Sequence, residues 1–158
     1  MSKIIIRQLN ANDVDDFRTI RLSALKNSPE MFGSSYAVEA TKPLNVFAEV
    51  ISKYTIFAAY SQQKIIGVLI LDLENDSKNK PQAQLYGFFV EPAFRGQGIA
   101  TQLLQAVIQY GQQYVIHIML SVLANNIAAI NLYQKLGFKI DFSSEMNDAN
   151  EIKMAFFY

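Results

Sequence analysis

Phe89 to Leu104 reads FVEPAFRGQGIATQLL. An apolar strand ends at Pro92, Arg95 follows, then come Gly96 and Gly98 one residue apart, and then a helix-forming run. The first four N–H groups of a helix have no partner inside it, and the aligned peptide dipoles make that end partly positive. Glycine at 96 and 98 removes the β-carbons that would keep a ligand off those groups, and Arg95 sets a permanent charge at the rim. The turn therefore suits a phosphate or pyrophosphate. Spacing alone leaves a second reading open, because glycines after a strand also serve a plain tight turn. Two familiar phosphate motifs do not apply. A dinucleotide fingerprint needs a third glycine at 101, where Thr101 stands, and an acid near Ser121–Leu123, where there is none. The Gly-Lys-Ser/Thr of a Walker loop is absent.

Working outward from this turn, AQLYGFFV ending at Val90 reads as a strand, and Ile99, Leu103, Ala106 and Tyr110 recur on one face of the helix after it. Upstream, YTIFAAY (Tyr54–Tyr60) and KIIGVLILDLE (Lys64–Glu74) form a hairpin signal, and Asn75–Pro81 reads as a solvated turn. Lys3–Arg7 is a first strand. The capping residues Asn10–Asp13 then open a helix with Val14, Phe17, Ile20 and Ala24 on one face, stopped by Asn27-Ser28-Pro29. FGSSYAVEA (Phe32–Ala40) has no period and reads as a loop, and Pro43–Lys53 as a short helix presenting Phe47, Val50 and Ile51. Downstream, IHIMLSV (Ile116–Val122) is a strand and Asn126–Gly137 a helix closed by glycine. FKIDF and EIKMAFFY close the chain as two more strands. The order β α α β β β α β α β β describes a mixed sheet covered by helices. With no linker or repeat, residues 1–158 are expected to form one domain.

Composition narrows the function. The chain has 158 residues, of which 51% are apolar, and no cysteine, which rules out disulfides, thiolate metal sites and a cysteine nucleophile. Fourteen acids balance fourteen bases, so no net field recruits nucleic acid or an anionic membrane. MSKIIIRQL is too short an apolar run for a signal peptide, and no stretch approaches a membrane span. The expectation is a cytoplasmic protein with no metal, no nucleic-acid partner and no membrane partner. The apolar C-terminal AFFY invites a homodimer contact.

Two motifs carry a resemblance. Arg95-Gly96-Gln97-Gly98-Ile99-Ala100 is similar to the signature of the GNAT superfamily of acetyl-CoA-dependent N-acetyltransferases: Arg or Gln, two residues, Gly, one residue, then Gly or Ala. Asn126-Ile127-Ala128-Ala129-Ile130-Asn131-Leu132-Tyr133-Gln134-Lys135-Leu136-Gly137-Phe138 resembles a second block of that family, N-x-x-A-I-x-L-Y-x-K-L-G-F. The resemblance is weak before Lys64 and good from Leu85 to Phe138. It implies a mixed α/β fold: a mostly antiparallel seven-stranded sheet flanked by about four helices and splayed between the fourth and fifth strands. It also implies that the N–H groups of Arg95, Gly96, Gln97, Gly98, Ile99, Ala100 and Thr101 hold the pyrophosphate of acetyl-CoA. The backbone of Phe88, Phe89 and Val90 would run beside the pantetheine arm, Asn126 would hydrogen-bond that arm, and Tyr133 would lie near the sulfur. Taken without the resemblance, Tyr133 reads as a core aromatic between Leu132 and Leu136, and Asn126 as a helix cap.

The implied reaction is transfer of an acetyl group to a primary amine of a small molecule or peptide, directly and in a ternary complex. The N–H of Val90 would meet the developing oxyanion and Tyr133 would protonate the leaving thiolate. No base stands out. The strand to Val90 carries Gln82 and Gln84 where an acid would be needed, and Glu74 is ~25 Å from Val90 at ~3.3 Å per residue. Glu91 reads as a solvated turn carboxylate, while Glu39 and Tyr36 are placed toward the acceptor by fold analogy alone. His117, the only histidine, falls on the face opposite Ile116, Ile118, Leu120 and Val122, and reads as structural. The missing strand carboxylate leaves a second reading, a catalytically silent acyl-CoA-binding module. A third, a phosphate-recognising nucleotide module, is opposed by the second motif block.

Overall fold

A computed structural model describes residues 3–29, 34–74, 81–142 and 150–158. The expected turn at Asn75–Pro81 falls outside them except for Pro81. In chain order the elements are β1 (Ile4–Gln8), α1 (Val14–Asn27), α2 (Tyr36–Glu39), α3 (Leu44–Lys53), β2 (Thr55–Ser61), β3 (Lys64–Glu74), β4 (Gln82–Val90), α4 (Ile99–Gly111), β5 (His117–Leu123), α5 (Ile127–Lys135), β6 (Lys139–Ile140) and β7 (Glu151–Phe157). The seven strands lie in the order β1-β2-β3-β4-β5-β7-β6. β1–β2, β2–β3, β5–β7 and β6–β7 are antiparallel, whereas β4–β5 is parallel. This is the expected mixed, mostly antiparallel sheet. The parallel ladder joins Gln82, Ala83 and Gln84 to His117, Ile118 and Met119 and goes no further, as the expected splay requires.

The chain divides into two compact units. One comprises residues 1–71 and 87–107. Its helix α1 comes after a short 3₁₀ turn, Ala11–Asp13, where Asn10 and Asp13 close a capping box. Asp13 is also gripped by Arg7 through two 2.9 Å bonds. The apolar stripe of α1 buries Phe17, Ile20 and Ala24 in a core with Phe47 of α3, Ile56 and Ala58 of β2, and Val68 and Ile70 of β3. Phe17 and Phe47 meet edge to face, their centroids 6.3 Å apart. Every residue from Ile65 to Leu71 is buried, as a strand covered on both faces must be. Gly67 faces Leu103 of α4.

The other unit comprises residues 72–86 and 108–158. β5 pairs with β7 from His117↔Phe157 to Leu123↔Glu151, burying Ile118, Leu120 and Val122. Ile130 and Tyr133 of α5, Phe138 and Met154 are buried in the same unit. Phe157 and Tyr158, expected to invite a second subunit, are exposed, while Ala155 is buried.

Two expectations need correction. Phe32 and Gly33 of FGSSYAVEA lie outside the described residues, and the rest is not all loop, because Ser35 accepts a bond from the Val38 N–H and turns Tyr36–Glu39 into α2, a fifth helix. One helical turn is too short to display a period. The buried face of α4 runs through Ile99, Leu103, Leu104 and Val107, whereas Ala106 and Tyr110 sit at its margin. That helix is apolar over more than one stripe, so the pattern alone underdetermined its face.

Candidate active site

In the first unit the end of β4 leads into the glycine turn. Glu91 N–H donates to the Ile66 carbonyl at 2.8 Å, which extends the sheet past Val90. Pro92–Phe94 then form a 3₁₀ turn, in which Phe94 N–H donates to Glu91 and Arg95 N–H to Pro92. Gly96 and Gly98 come next, with φ of +79° and +80°, a region that residues with a β-carbon rarely occupy. A β-carbon built on either would meet nothing within 4 Å. The two glycines therefore answer a backbone need and leave the space before α4 open. The first bond into that helix runs from Gln102 N–H to the Gly98 carbonyl at 3.1 Å, and among the described residues no backbone acceptor faces the N–H groups from Gly98 to Thr101. Gly98 has no side chain with which to cap them.

Arg95 keeps its charge at this rim but is anchored there. Its Nε donates to the Val90 carbonyl at 2.9 Å, and its guanidinium lies over the Phe89 ring, 5.5 Å from the centroid. The side chains of Phe89, Val90 and Ile99 are buried, so these three residues offer a ligand only their backbone. Gly96, Gln97 and Gly98 are exposed, whereas Phe88, Ala100 and Thr101 are half-buried.

Glu39 and Arg21 also belong to this unit. Glu39 ends α2, buried, and Arg21 of α1 forks onto it with Nε–Oε1 and Nη2–Oε2 distances both 3.1 Å. Burial pushes the Glu39 carboxyl up, but the bonds from Arg21 and Ser34 outweigh it and hold the group below the usual carboxylate range. A carboxylate so held is a weak base. Tyr36 is exposed, with the Lys26 ammonium 6.0 Å from its ring centroid. Arg21 was not legible as part of any site: its partner lies 18 residues away, and nothing local marks the pair.

In the second unit Asn126 caps α5, its Oδ1 accepting from Ala129 N–H at 3.2 Å. Seven residues on, two helical turns along, Tyr133 is 8% exposed and lies 5.7 Å from the Phe138 ring. Burial pushes its phenol up to about 12. The hydroxyl therefore stays protonated across the physiological range. His117 Nε2 meets Gln82 Oε1 at 2.9 Å and its ring lies tilted against Phe157; of the residues expected to face inward opposite it, Ile118, Leu120 and Val122 are buried but Ile116 is exposed. The turn residues and Val90 thus lie in one unit, and Asn126 and Tyr133 in the other. Among the described residues no three of His, Cys, Asp and Glu gather as metal ligands, and no helix is long and apolar enough to cross a membrane.

The model of the acetyltransferase (GNAT) family matches residues 23–138. The spermine/spermidine N(1)-acetyltransferase of Bacillus subtilis is 32% identical over 117 residues, 68% of this chain and 77% of that protein. An acetyltransferase of the GNAT family from Streptococcus pneumoniae shares the fold at a TM-score of 0.80 and 16% identity, over 99% of this chain and 100% of the other. The PaiA N-acetyltransferase of Thermoplasma acidophilum, solved with coenzyme A, does so at 0.76 and 18%, over 99% of each chain.

Proposed function

This chain belongs to the acetyltransferase (GNAT) family of acyltransferases, and from that premise we propose that it transfers an acetyl group from acetyl-CoA to a primary amine of a small molecule or peptide, by direct attack in a ternary complex. One observation carries the reading: two left-handed glycines open the space before α4, and among the described residues its first N–H groups have no backbone acceptor. That is a cradle for a pyrophosphate.

When bound, acetyl-CoA supplies an activated thioester carbonyl. The N–H groups from Gly96 to Thr101 hold its diphosphate, and Arg95, anchored on Val90, adds charge at the rim. The backbone of Phe88, Phe89 and Val90 would run beside the arm, and the Val90 N–H would donate to the carbonyl oxygen as that oxygen gains charge. Asn126 uses its carboxamide oxygen for the cap, so its NH₂ group is the part that bonds the arm. Tyr133 gives the departing sulfur a proton. Desolvation has raised its phenol to about 12, which widens the gap to a thiol ordinarily near ~8.5, so the transfer runs downhill only if the thiolate is desolvated as well. An alkylammonium, with a pKa of about 10.4, must lose a proton before it attacks. Arg21 holds Glu39 below the usual carboxylate range and β4 carries no acid, so no base is assigned and a water relay to solvent is left as one route for the proton.

The acceptor panel includes spermine and spermidine because of the Bacillus relative, alongside other small amines and peptide amines. Each amine is scored by thiol release from acetyl-CoA. CoA and acetyl-CoA are expected to raise the melting temperature while ATP and NAD do little. Equal stabilisation by ATP would overturn the cradle. Labelled acetyl-CoA without amine is expected to leave no stoichiometric acetyl group on the protein by mass, and a trapped acyl-enzyme would refute direct transfer. The silent acyl-CoA-binding module, favoured by the lack of an acid on β4, would stand if CoA protects but no amine releases thiol. A homodimer contact through the exposed Phe157 is part of the same proposal, and sedimentation of wild type against Phe157→Ser tests it.

A further inference from the structure

The Arg21–Glu39 pair points at a second irregularity of β4. Gly87 has a φ of +59°, the only left-handed residue on that strand. A residue in that conformation interrupts the strand ladder and re-aims the residues after it. Here those residues are Phe88, Phe89 and Val90. A β-carbon on Gly87 would lie 3.1 Å from Ile70 Cδ1 and 3.6 Å from Arg21 Nη1, so the guanidinium packs against the strand at its irregular point.

The geometry of the guanidinium makes this contact determinate. It is a rigid plane. Glu39 holds two of its nitrogens, Nε and Nη2, at 3.1 Å each, which orients the plane and leaves the third, Nη1, no freedom beside Gly87. The two side chains are only 21% and 9% exposed, and an ion pair drawn this far from water persists only with good geometry. The pair is also neutral. An unpaired arginine near β4 would repel an incoming ammonium, whereas the forked pair presents little net charge.

We propose that Arg21 and Glu39 form a positioning pair, which holds the guanidinium against Gly87 and thereby sets the direction in which the Val90 N–H leaves β4. The proposal rests on the reading of that N–H as the donor to the acyl oxygen. It makes Arg21 and Glu39 determinants of turnover without contact with either substrate.

Three variants of the full chain test it: Arg21→Lys, Arg21→Met, and the exchanged pair Arg21→Glu with Glu39→Arg. Each is measured for melting temperature, CoA affinity, turnover with the best amine of the panel, and deuterium uptake of the peptide spanning Gly87–Val90. The single variants are expected to lower kcat about tenfold or more, with the amine KM and CoA affinity within about threefold, because misalignment costs rate before binding. Their Gly87–Val90 peptide is expected to exchange about tenfold faster or more. The exchanged pair restores the ion pair but not a guanidinium at position 21, so it is expected to recover melting temperature without recovering kcat or slow exchange. Recovery of kcat together with stability would reduce the pair to a fastening between α1 and α2 and overturn the proposal. Unchanged kcat and exchange in Arg21→Lys and Arg21→Met would overturn it as well. If the wild type acetylates no amine, the acetyl-transfer reading fails on that result, and deuterium uptake alone then decides whether Arg21 holds the strand.

Discussion

The helices α4 and α5 treat their first N–H groups in opposite ways. At α5 the chain supplies its own acceptor, Asn126 Oδ1 on the Ala129 N–H. At α4 the corresponding residue is Gly98, which has no side chain, and it stands with Gly96 in a left-handed turn facing open space. A capped start turns its donors into helix stability, worth about 1 kcal/mol. An uncapped, glycine-lined start keeps them for an anion. The capping box of Asn10 and Asp13 serves the 3₁₀ turn before α1, while α1 and α3 start without a side-chain cap. What sets α4 apart is therefore the pair of left-handed glycines facing open space rather than the missing cap itself, and it divides the proposed work: α4 binds, while α5 carries the residue that moves a proton.

The sharpest way to break this division is Tyr133→Phe. The ring and its contact with Phe138 remain and only the hydroxyl goes. Turnover is expected to fall by ~10²-fold or more, the scale of a positioned general acid, with CoA affinity nearly unchanged. Unaltered turnover at matched fold stability would remove α5 from the chemistry.

Gly98→Val probes the other side. At a φ of +80° any β-carbon is strained, by roughly 1–2 kcal/mol, and the valine would project into the open space before α4. The expected result is a lower melting temperature and CoA binding weakened by about tenfold or more, a loss of about 1.4 kcal/mol or more. Calorimetry and the CoA-induced thermal shift check both. Undiminished protection by CoA would make the turn a tight turn and nothing else.

Asn126→Ala sharpens the contrast by uncapping α5. It should cost about 1 kcal/mol of stability in denaturant unfolding, the usual worth of a cap, and weaken CoA only a few-fold. A loss of CoA affinity as large as that of Gly98→Val would mean that the two helix starts share the binding work.

The smallest effect is on pH. Burial raises the Tyr133 phenol to about 12, above its ordinary value of about 10 in the unfolded chain. The stabilisation from keeping it neutral is therefore fully present below pH ~10 and is lost as pH rises from ~10 toward ~12. A melting series over that window should decline, and Tyr133→Phe should flatten part of the decline. The phenol of Tyr158, also raised by desolvation, accounts for a further part.

Much of this was legible without coordinates. β3 runs from Lys64 to Glu74, as its unbroken apolar run indicated, and α1 ends at Asn27 before Ser28 and Pro29. Asn126 was readable as a cap and the turn as two glycines before a helix, because each signal lies within four residues of what it controls. His117 was readable as structural from strand alternation. Other features were not readable. α2 is a single turn, too short for a period. The anchoring of Arg95 on the Val90 carbonyl depends on a turn that folds the chain back five residues. The grip of Arg21 on Glu39 and its approach to Gly87 span 18 and 66 residues.

The sequence by itself determined the order and type of the elements other than α2, the turn of two glycines before α4, the motif pair that marks the family, and the absence of any thiol chemistry. These are matters of backbone preference and side-chain inventory, settled within a few residues. Only the tertiary structure decided that Phe89 and Ile99 turn their side chains into the core and leave a ligand their backbone, that Tyr133 is dry enough to hold its proton to about 12, and that Glu39 is claimed by Arg21. Desolvation and ion pairing depend on which distant segments close over a group, and a linear chain does not carry that information at the residue concerned.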